Sequence, residues 1–433
     1  MTSSLARLAR SRAAAAAGAA VLALLLGMSA LGAFPRQPGI DFYQFWGVPL
    51  ARASASLQAT PYTDGQAYAR VLNGIADASA SVKLREANRE RRSLEPMATP
   101  FLYAAFAGFP ADYERARALF AFIQYAAAWT GVFVLARLCS APPWPAACIA
   151  FFVLLTFNPF IQDVRVGNVN SLQLLALALL IGVSSRKRFT GRDWIDGLFL
   201  GLLALLVAFK PNTPWIAAAL TIHFLLVRGA RAFAIAVVEA ALLGIAAFAI
   251  GAWYMDGPHA WLEWLDLARG MDGSAMALPY ERGNLSLAML LGGTSSMLGA
   301  KGYGIVLALA LAIALAVALS GGGRTKALGA AARRAFSDPW FAASVGILFT
   351  FATSPLVWPH YHMLLLVPIA WLLTRASSCR VCAWGAALCF IVLSRAVTDP
   401  LVWMRMFELL QALTLLSWAA LLPGVFAFAR EAR

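Results

Sequence analysis

Charge is what this sequence has least of. Of 433 residues, 13% are charged and 61% hydrophobic, with a mean hydropathy of +0.70. A water-soluble domain carries roughly a quarter charged residues, so a soluble globular class is excluded and an integral membrane protein is implied. Apolar runs of about 20 residues recur, the length of a bilayer-crossing helix, and they exclude a membrane β-barrel. Cysteine is scarce as well: Cys139, Cys148, Cys379, Cys382 and Cys389 are all there is. Cys379 and Cys382 have the spacing of a redox or metal pair, but no second pair and no neighbouring His completes a zinc set, and no disulfide framework is implied. There is no Gly-rich loop to cradle a nucleotide phosphate and no Asp-x-Asp. The net charge of +14 does not point to nucleic acid, because Arg and Lys cluster in short connections rather than in a basic stripe interleaved with aromatics.

Those basic connections orient the chain, since short cytoplasmic loops collect Lys and Arg. The expected fold is all-α: a polytopic membrane protein of about twelve transmembrane helices in a single domain, 1–433, with both termini cytoplasmic. Arg7, Arg10 and Arg12 precede a first apolar segment from about Ala13 to Phe34, which reads as an uncleaved helix rather than a signal peptide. A large extracytoplasmic loop, 35–115, follows; within it Pro61-Tyr62-Thr63-Asp64 reads as a turn and Lys83 to Glu95 as a charged surface helix. Further spans are expected at about Ala116–Leu138, Pro145–Ile161, up to Ser185, Trp194–Phe209, then to Arg228, to Tyr254, Gly302–Leu319, from Trp340, and from Met363, Val381 and Met406. Asn284 to Leu291 is too short to cross and reads as an interfacial helix.

With this topology the unusual polar clusters fall on one side. Asp41 follows the first span in Gly39-Ile40-Asp41-Phe42-Tyr43-Gln44-Phe45-Trp46. On the same side lie Arg165, Gly167, Asn168, Asn170 and Ser171, then Lys210-Pro211, then Arg282 with Asn284 and Ser286, and finally Trp358, His360 and His362. His360 and His362 are two of only four histidines. The inner loops carry plain Arg and Lys. Each outer cluster also has an ordinary reading: Lys210 as a helix-end cation, Gly167 to Asn170 as a tight turn. His223 reads as a packed helix residue. Asp196 and Glu239 stand out as intramembrane acids with no partner evident in sequence.

Together these groups suit one chemistry, the breaking of a bond between a sugar and a lipid phosphate. Lys210, Arg165 and His360 are candidates to neutralise the departing phosphate. The anomeric carbon becomes oxocarbenium-like, and the attacking hydroxyl needs a base, for which Asp41 is the candidate. Tyr43, Trp46 and Tyr62, with Phe42 and Phe45, read as an interfacial anchor and substrate wall rather than as core. The outer acids lack the spacing that would diagnose a divalent metal site.

Several ordered motifs resemble glycosyltransferase family 87, in the multispanning GT-C class. They are Asp-Phe-x-x-Phe-Trp (Asp41 to Trp46), Pro61-Tyr62, Gly-x-x-Asn (Gly167 to Asn170), Lys210-Pro211, Asn-x-Ser-Leu (Asn284 to Leu287) and Ser-Pro-x-x-Trp-x-His (Ser354 to His360). The resemblance implies an extracytoplasmic active site in the cell's inner membrane, Asp41 as the catalytic carboxylate, and inversion at the anomeric carbon. It implies a polyprenyl-phosphate sugar as donor, mannose favoured, and a lipid or glycan acceptor. Asn168 stands where the family commonly has Gln, and Leu285 where Gln is usual, so glucose and arabinofuranose stay open beside mannose. A transporter or lipid-carrier flippase is the rival reading, and a non-catalytic scaffold of the same fold is a third. A transporter should bind at the bilayer midplane between paired repeats, and no internal repeat is visible.

Overall fold

The computed structural model describes residues 37–54, 57, 59–94, 96–185, 193–269, 284–287 and 324–431, together with Gly18 and Val21. Among them every named element is helical, and strand geometry is confined to a single bridge between Phe157 and Ser394. In chain order the helices are α1 (Ile40–Ser54), α2 (Gly65–Asp77), α3 (Val82–Glu90), α4 (Pro100–Phe106), α5 (Tyr113–Leu138) and α6 (Pro143–Thr156). They continue with α7 (Asn158–Val166), α8 (Asn170–Ser184), α9 (Asp193–Phe209), α10 (Pro214–Tyr254) and α11 (His259–Arg269). The C-terminal set is α12 (Arg324–Phe336), α13 (Pro339–Thr353), a 3₁₀ helix at Pro359–Leu365, α14 (Leu366–Leu373), α15 (Arg380–Val392), α16 (Arg395–Trp403), α17 (Phe407–Ala419) and α18 (Leu422–Glu431).

Side-chain caps start several of them. Asp64, Ser81, Thr99 and Asp112 accept from the backbone N–H three residues on, which satisfies donors that the first turn leaves orphaned. The elements sort into two hydrophobic bodies. One joins α1 to α4 and the start of α5 with Val169, Met255 and Ala260, and forms a cap. The other is a helical bundle running from α5 through α18. The bundle's rim is apolar: Phe151, Phe152 and Leu155 on α6, Val238, Leu242 and Ile245 on α10, and Trp384, Leu388 and Ile391 on α15 are all exposed. So wide an apolar surface is stable only against lipid.

Three described helical stretches are long and apolar enough to cross a bilayer, Tyr113–Leu138, Pro214–Tyr254 and Phe407–Phe428. The bent pair Gly329–Phe336 and Pro339–Thr353, set at 100°, makes a fourth if counted as one span. The 41 residues of α10 would run to about 60 Å if straight, twice the hydrocarbon thickness. They do not run straight, because Gly229 has φ 81° and ψ 168°, outside the helical region. Arg228 pairs with Asp196 at the start of α9, while Gly251 packs on Phe101 and Thr99 bonds to Ala208 at the end of α9. Both ends of α10 therefore lie at the α4 side, and the chain reverses at Gly229. The expected separate spans on either side of Arg228 correspond to these two legs. The pairing also supplies the partner that Asp196 lacked in sequence.

The expected break at Ser354 matches the end of α13, and the expected start near Val381 matches the start of α15. The third expected span differs: α6 stops at Thr156, and Asn158 N bonds to Leu393 O at 2.9 Å, so α7 is a separate helix. Gly302–Leu319, all of the first segment but Gly18 and Val21, and most of Asn284–Leu291 lie outside the described residues.

One expectation is corrected. Phe42, Tyr43 and Trp46 are core residues of the cap, not a wall facing substrate. The Phe42 ring stacks on Phe120 at 5.2 Å and meets Tyr113 at 5.7 Å. Tyr43 donates its hydroxyl to Asn88 Oδ1, Trp46 its indole N–H to Pro110 O, and Tyr62 its hydroxyl to Ala98 O, each at 2.8 Å. Burying each such ring is worth about 1.5–3 kcal/mol, and every polar handle has a protein partner, so the rings turn inward.

Candidate active site

The seam between cap and bundle gathers the polar residues. From the cap comes Asp41, in the first turn of α1, where the helix dipole favours a carboxylate. From the bundle come the α7–α8 turn, Lys210 just past the end of α9, and the 3₁₀ helix with His360. Asp41 Oδ1 accepts from Arg91 Nη2 at 3.2 Å, and Oδ2 accepts from Asn168 Nδ2 at 2.7 Å. His360 Nε2 lies 4.0 Å from Oδ2; it is buried and has no hydrogen-bond partner among the described residues. The Asp41 side chain keeps 16% of its surface exposed, which leaves the carboxylate reachable.

Behind Asn168 the network continues inward. Asn168 Oδ1 accepts from Lys210 Nζ at 2.6 Å and from Val169 N at 2.7 Å. The same ammonium donates to Asn170 Oδ1 at 2.9 Å and sits 4.2 Å from the centre of the Tyr361 ring. Asn170 Nδ2 in turn donates to Asp163 Oδ1 at 2.8 Å. Asp163 is fully buried and caps α8, accepting from Asn170 N at 3.3 Å, Ser171 N at 3.0 Å and Ser171 Oγ at 2.6 Å. Burial pushes the Asp163 carboxyl up to about 6, although Ser171, Asn170 and Lys210 pull the other way. Burial also lowers the Lys210 ammonium to about 8, against the pull of Asp163 and Asp41.

Local backbone makes this turn possible. Gly167 ends α7 in the left-handed region, φ 73°, and a Cβ there would lie 2.5 Å from Phe42 Cβ. Gly39, at φ 79°, has no room for a Cβ either, because Arg117 Nε would lie 2.3 Å away. Gly167 lets the backbone of the turn meet that of the cap at Phe42, next to Asp41, and Gly39 leaves room for the Arg117 side chain. Gly167→Ala should cost about 1–3 kcal/mol from the left-handed φ alone, and the wedge against Phe42 should lower transfer further. Thermal melting in detergent with a parallel activity assay checks this; wild-type values for both would show that the close approach is dispensable.

Two residues of α5, Arg117 and Gln124, brace the turn from below. Arg117 is fully buried, donates to Val164 O and lies 5.7 Å from the centre of the Phe42 ring. Gln124 Nε2 donates to Asp163 O at 3.0 Å and to Asn168 O at 2.7 Å. Neither was picked out in sequence, and nor was Arg91 or the role of Asp163. A signal existed: Arg117 and Gln124 are seven apart at the start of an apolar span, hence on one face, and polar groups there have a purpose.

Of the sequence candidates, the structure brings together Asp41, Asn168, Asn170, Lys210 and His360. His362 is fully buried, stacked on Phe351 at 4.8 Å with Nδ1 3.4 Å from Trp358 O, and its Nε2 has no hydrogen-bond partner among the described residues. Arg165 stays exposed beside Gln162. Asn284 and Ser286 tie the chain to 354–357: Asn284 Oδ1 accepts from Val357 N at 3.0 Å, Asn284 Nδ2 donates to Pro355 O at 2.9 Å, and Ser286 Oγ donates to Ser354 O. Those bonds hold the approach to Trp358 and His360. Arg282 lies outside the described residues. Among the described residues no group of three or more His, Cys, Asp or Glu gathers as metal ligands.

This geometry agrees with a comparison of the whole sequence. The model of glycosyltransferase family 87 matches residues 96–359, more than half of the chain. The chain belongs to glycosyltransferase family 87. The transferase is accordingly a membrane glycosyltransferase, in keeping with its apolar rim. The matched stretch contains Asp163, Asn168, Asn170 and Lys210, whereas Asp41 precedes it and His360 follows it directly. No curated protein and no solved structure matches the chain.

Proposed function

We propose that the transferase moves a hexose, mannose favoured, from a polyprenyl-phosphate sugar to a hydroxyl of a lipid or glycan acceptor, at the extracytoplasmic face of the inner membrane. Asp41 is the general base. The acceptor oxygen attacks the anomeric carbon and its proton passes to the Asp41 carboxylate. The bond from that carbon to the phosphate oxygen breaks, the electron pair leaves with the phosphate, and attack from the opposite face inverts the configuration.

The reading is carried by one observation: a reachable carboxylate, held by Arg91 and Asn168, faces a buried His360 Nε2 that has no hydrogen-bond partner among the described residues. Side by side, the two groups offer one atom that can take a proton and one that can meet the phosphate. The apolar rim supports a donor that arrives through lipid. The transporter reading loses ground because the polar groups lie at helix ends, beyond α9 and α13 and between α7 and α8, rather than along the middle of broken spans.

Labelled polyprenyl-phosphate mannose, glucose and arabinofuranose, offered in turn with membrane lipid extract as acceptor, provide the test. Transfer from the mannose donor is the expected result. Transfer from one of the others alone would replace mannose, and substrate flux across vesicles without transfer would favour the flippase.

A further inference from the structure

We propose that Lys210 acts as a positioning residue of the base, by holding the Asn168 amide in the one orientation that donates to Asp41. This rests on Asp41 being the base.

An asparagine amide has one end that accepts and one that donates, and the two are interchanged by a half-turn. At Asn168 the surroundings allow only one setting. Oδ1 receives two donors, Lys210 Nζ at 2.6 Å and Val169 N at 2.7 Å, while Nδ2 faces the Asp41 carboxylate at 2.7 Å. The reverse setting would press an NH₂ group against an ammonium and a backbone N–H, and a carbonyl oxygen against a carboxylate. Lys210 thus does at one remove what a direct donor could not: it fixes which end of the amide Asp41 meets. The charge also acts through the bond, since an ammonium on Oδ1 polarises the amide and strengthens its N–H as a donor.

Beyond Lys210 the pattern repeats in mirror order. Asn170 accepts from the ammonium with Oδ1 and donates with Nδ2 to Asp163. Carboxylate, amide, ammonium, amide and carboxylate alternate through the seam, with every dipole aligned. Asp163 is in turn fixed by the start of α8 through Ser171. The charged or titratable groups paired with Asp41 among the described residues are Arg91, just past the end of α3, and His360 from the 3₁₀ helix.

The same geometry argues against Lys210 as a direct phosphate ligand. Its ammonium is buried, with two of its N–H groups committed to amides and the Tyr361 ring 4.2 Å away. A phosphate would have to displace those partners and unlock Asn168 in doing so.

The experiment is steady-state transfer from polyprenyl-phosphate mannose by the full chain in detergent, for Lys210→Met, Asn168→Leu, the double variant and Asp41→Asn, with donor KM and kcat measured separately. Positioning predicts that Lys210→Met and Asn168→Leu each lower kcat at least about tenfold with donor KM within about threefold, and that the double variant is no worse than the poorer single, as for residues on one path. A Lys210→Met enzyme with raised donor KM and normal kcat overturns the proposal in favour of phosphate binding, and additive losses overturn it as well. Where Lys210→Met does not fold, Asn168→Leu decides on the same split between kcat and KM. Full activity in Asp41→Asn would remove the base itself. An inactive Asp41→Asn beside an unimpaired kcat in Lys210→Met would overturn the positioning role alone.

Discussion

Asp41→Asn lowers kcat for sugar transfer by about 10²–10⁴-fold, the usual contribution of a positioned general base. The substitution is nearly isosteric. It keeps an oxygen for Arg91 Nη2, and the cap core beneath it, built on Phe42 and Trp46, is untouched. What it removes is the capacity to take a proton, and it sets an NH₂ group at the position of Oδ2, facing both Asn168 Nδ2 and His360 Nε2. Donor KM should change little, because the carboxylate is directed at the acceptor hydroxyl rather than at the phosphate. Wild-type turnover in the purified variant, measured with saturating donor, would take Asp41 out of the mechanism.

Asp163→Ala should destabilise the protein by several kcal/mol, about 1–3 kcal/mol for each buried donor left without its acceptor. Two backbone N–H groups, the Asn170 amide and the Ser171 hydroxyl lose their acceptor together, and the buried Lys210 loses the carboxylate that most supports its charge. The pH dependence of this group is opposite to that of most carboxylates. Its folded value of about 6 lies above the unfolded value of about 3.9, so the folded state binds the proton more tightly. Stability from this residue is therefore greatest below about pH 4 and declines as the pH rises to about 6. Melting curves in detergent between pH 4 and 7 should show that decline in the wild type and not in Asp163→Asn. A parallel slope in both would assign it to another group.

How much of this was legible in the sequence differs from residue to residue. The apolar runs located α5, α9, both legs of α10, α13 and α15, because a span must be continuous to satisfy its backbone in lipid. Grouping the polar clusters on one face brought Asp41, Asn168, Asn170, Lys210 and His360 onto one list, and the structure joins them within one seam. The assignment of each residue's task was less readable. Hydropathy says which side of the membrane a residue is on, but not whether an aromatic ring there turns outward or inward. Phe42, Tyr43 and Trp46 turned inward because α2 to α5 supply a second core that no periodicity in the Asp41 segment reveals. Arg91 was read as part of a solvated charged helix, and its bond to Asp41 spans 50 positions that only the fold brings together. Asn284 and Ser286 look like sugar ligands as a motif and serve as backbone ties to 354–357. Short polar motifs carry chemistry and architecture in the same residue types, and distance alone separates the two.

The reversal at Gly229 gives the molecule a direction along the membrane normal. The passages that build the seam, at Asp41, 163–171, Lys210 and His360, lie at the ends of helices on one face, and α9 with the two legs of α10 are return paths between that face and the other. At Gly229 a Cβ would meet nothing within 4 Å, whereas at Gly167 and Gly39 it would strike a neighbour at once. Crowding is therefore uneven: the bend at Gly229 is held by its φ of 81° alone with open space around it, while the bends at Gly39 and Gly167 are also hemmed in by neighbours. A scan of short insertions should trace that gradient as a step in surviving transfer activity from one face of the membrane to the other.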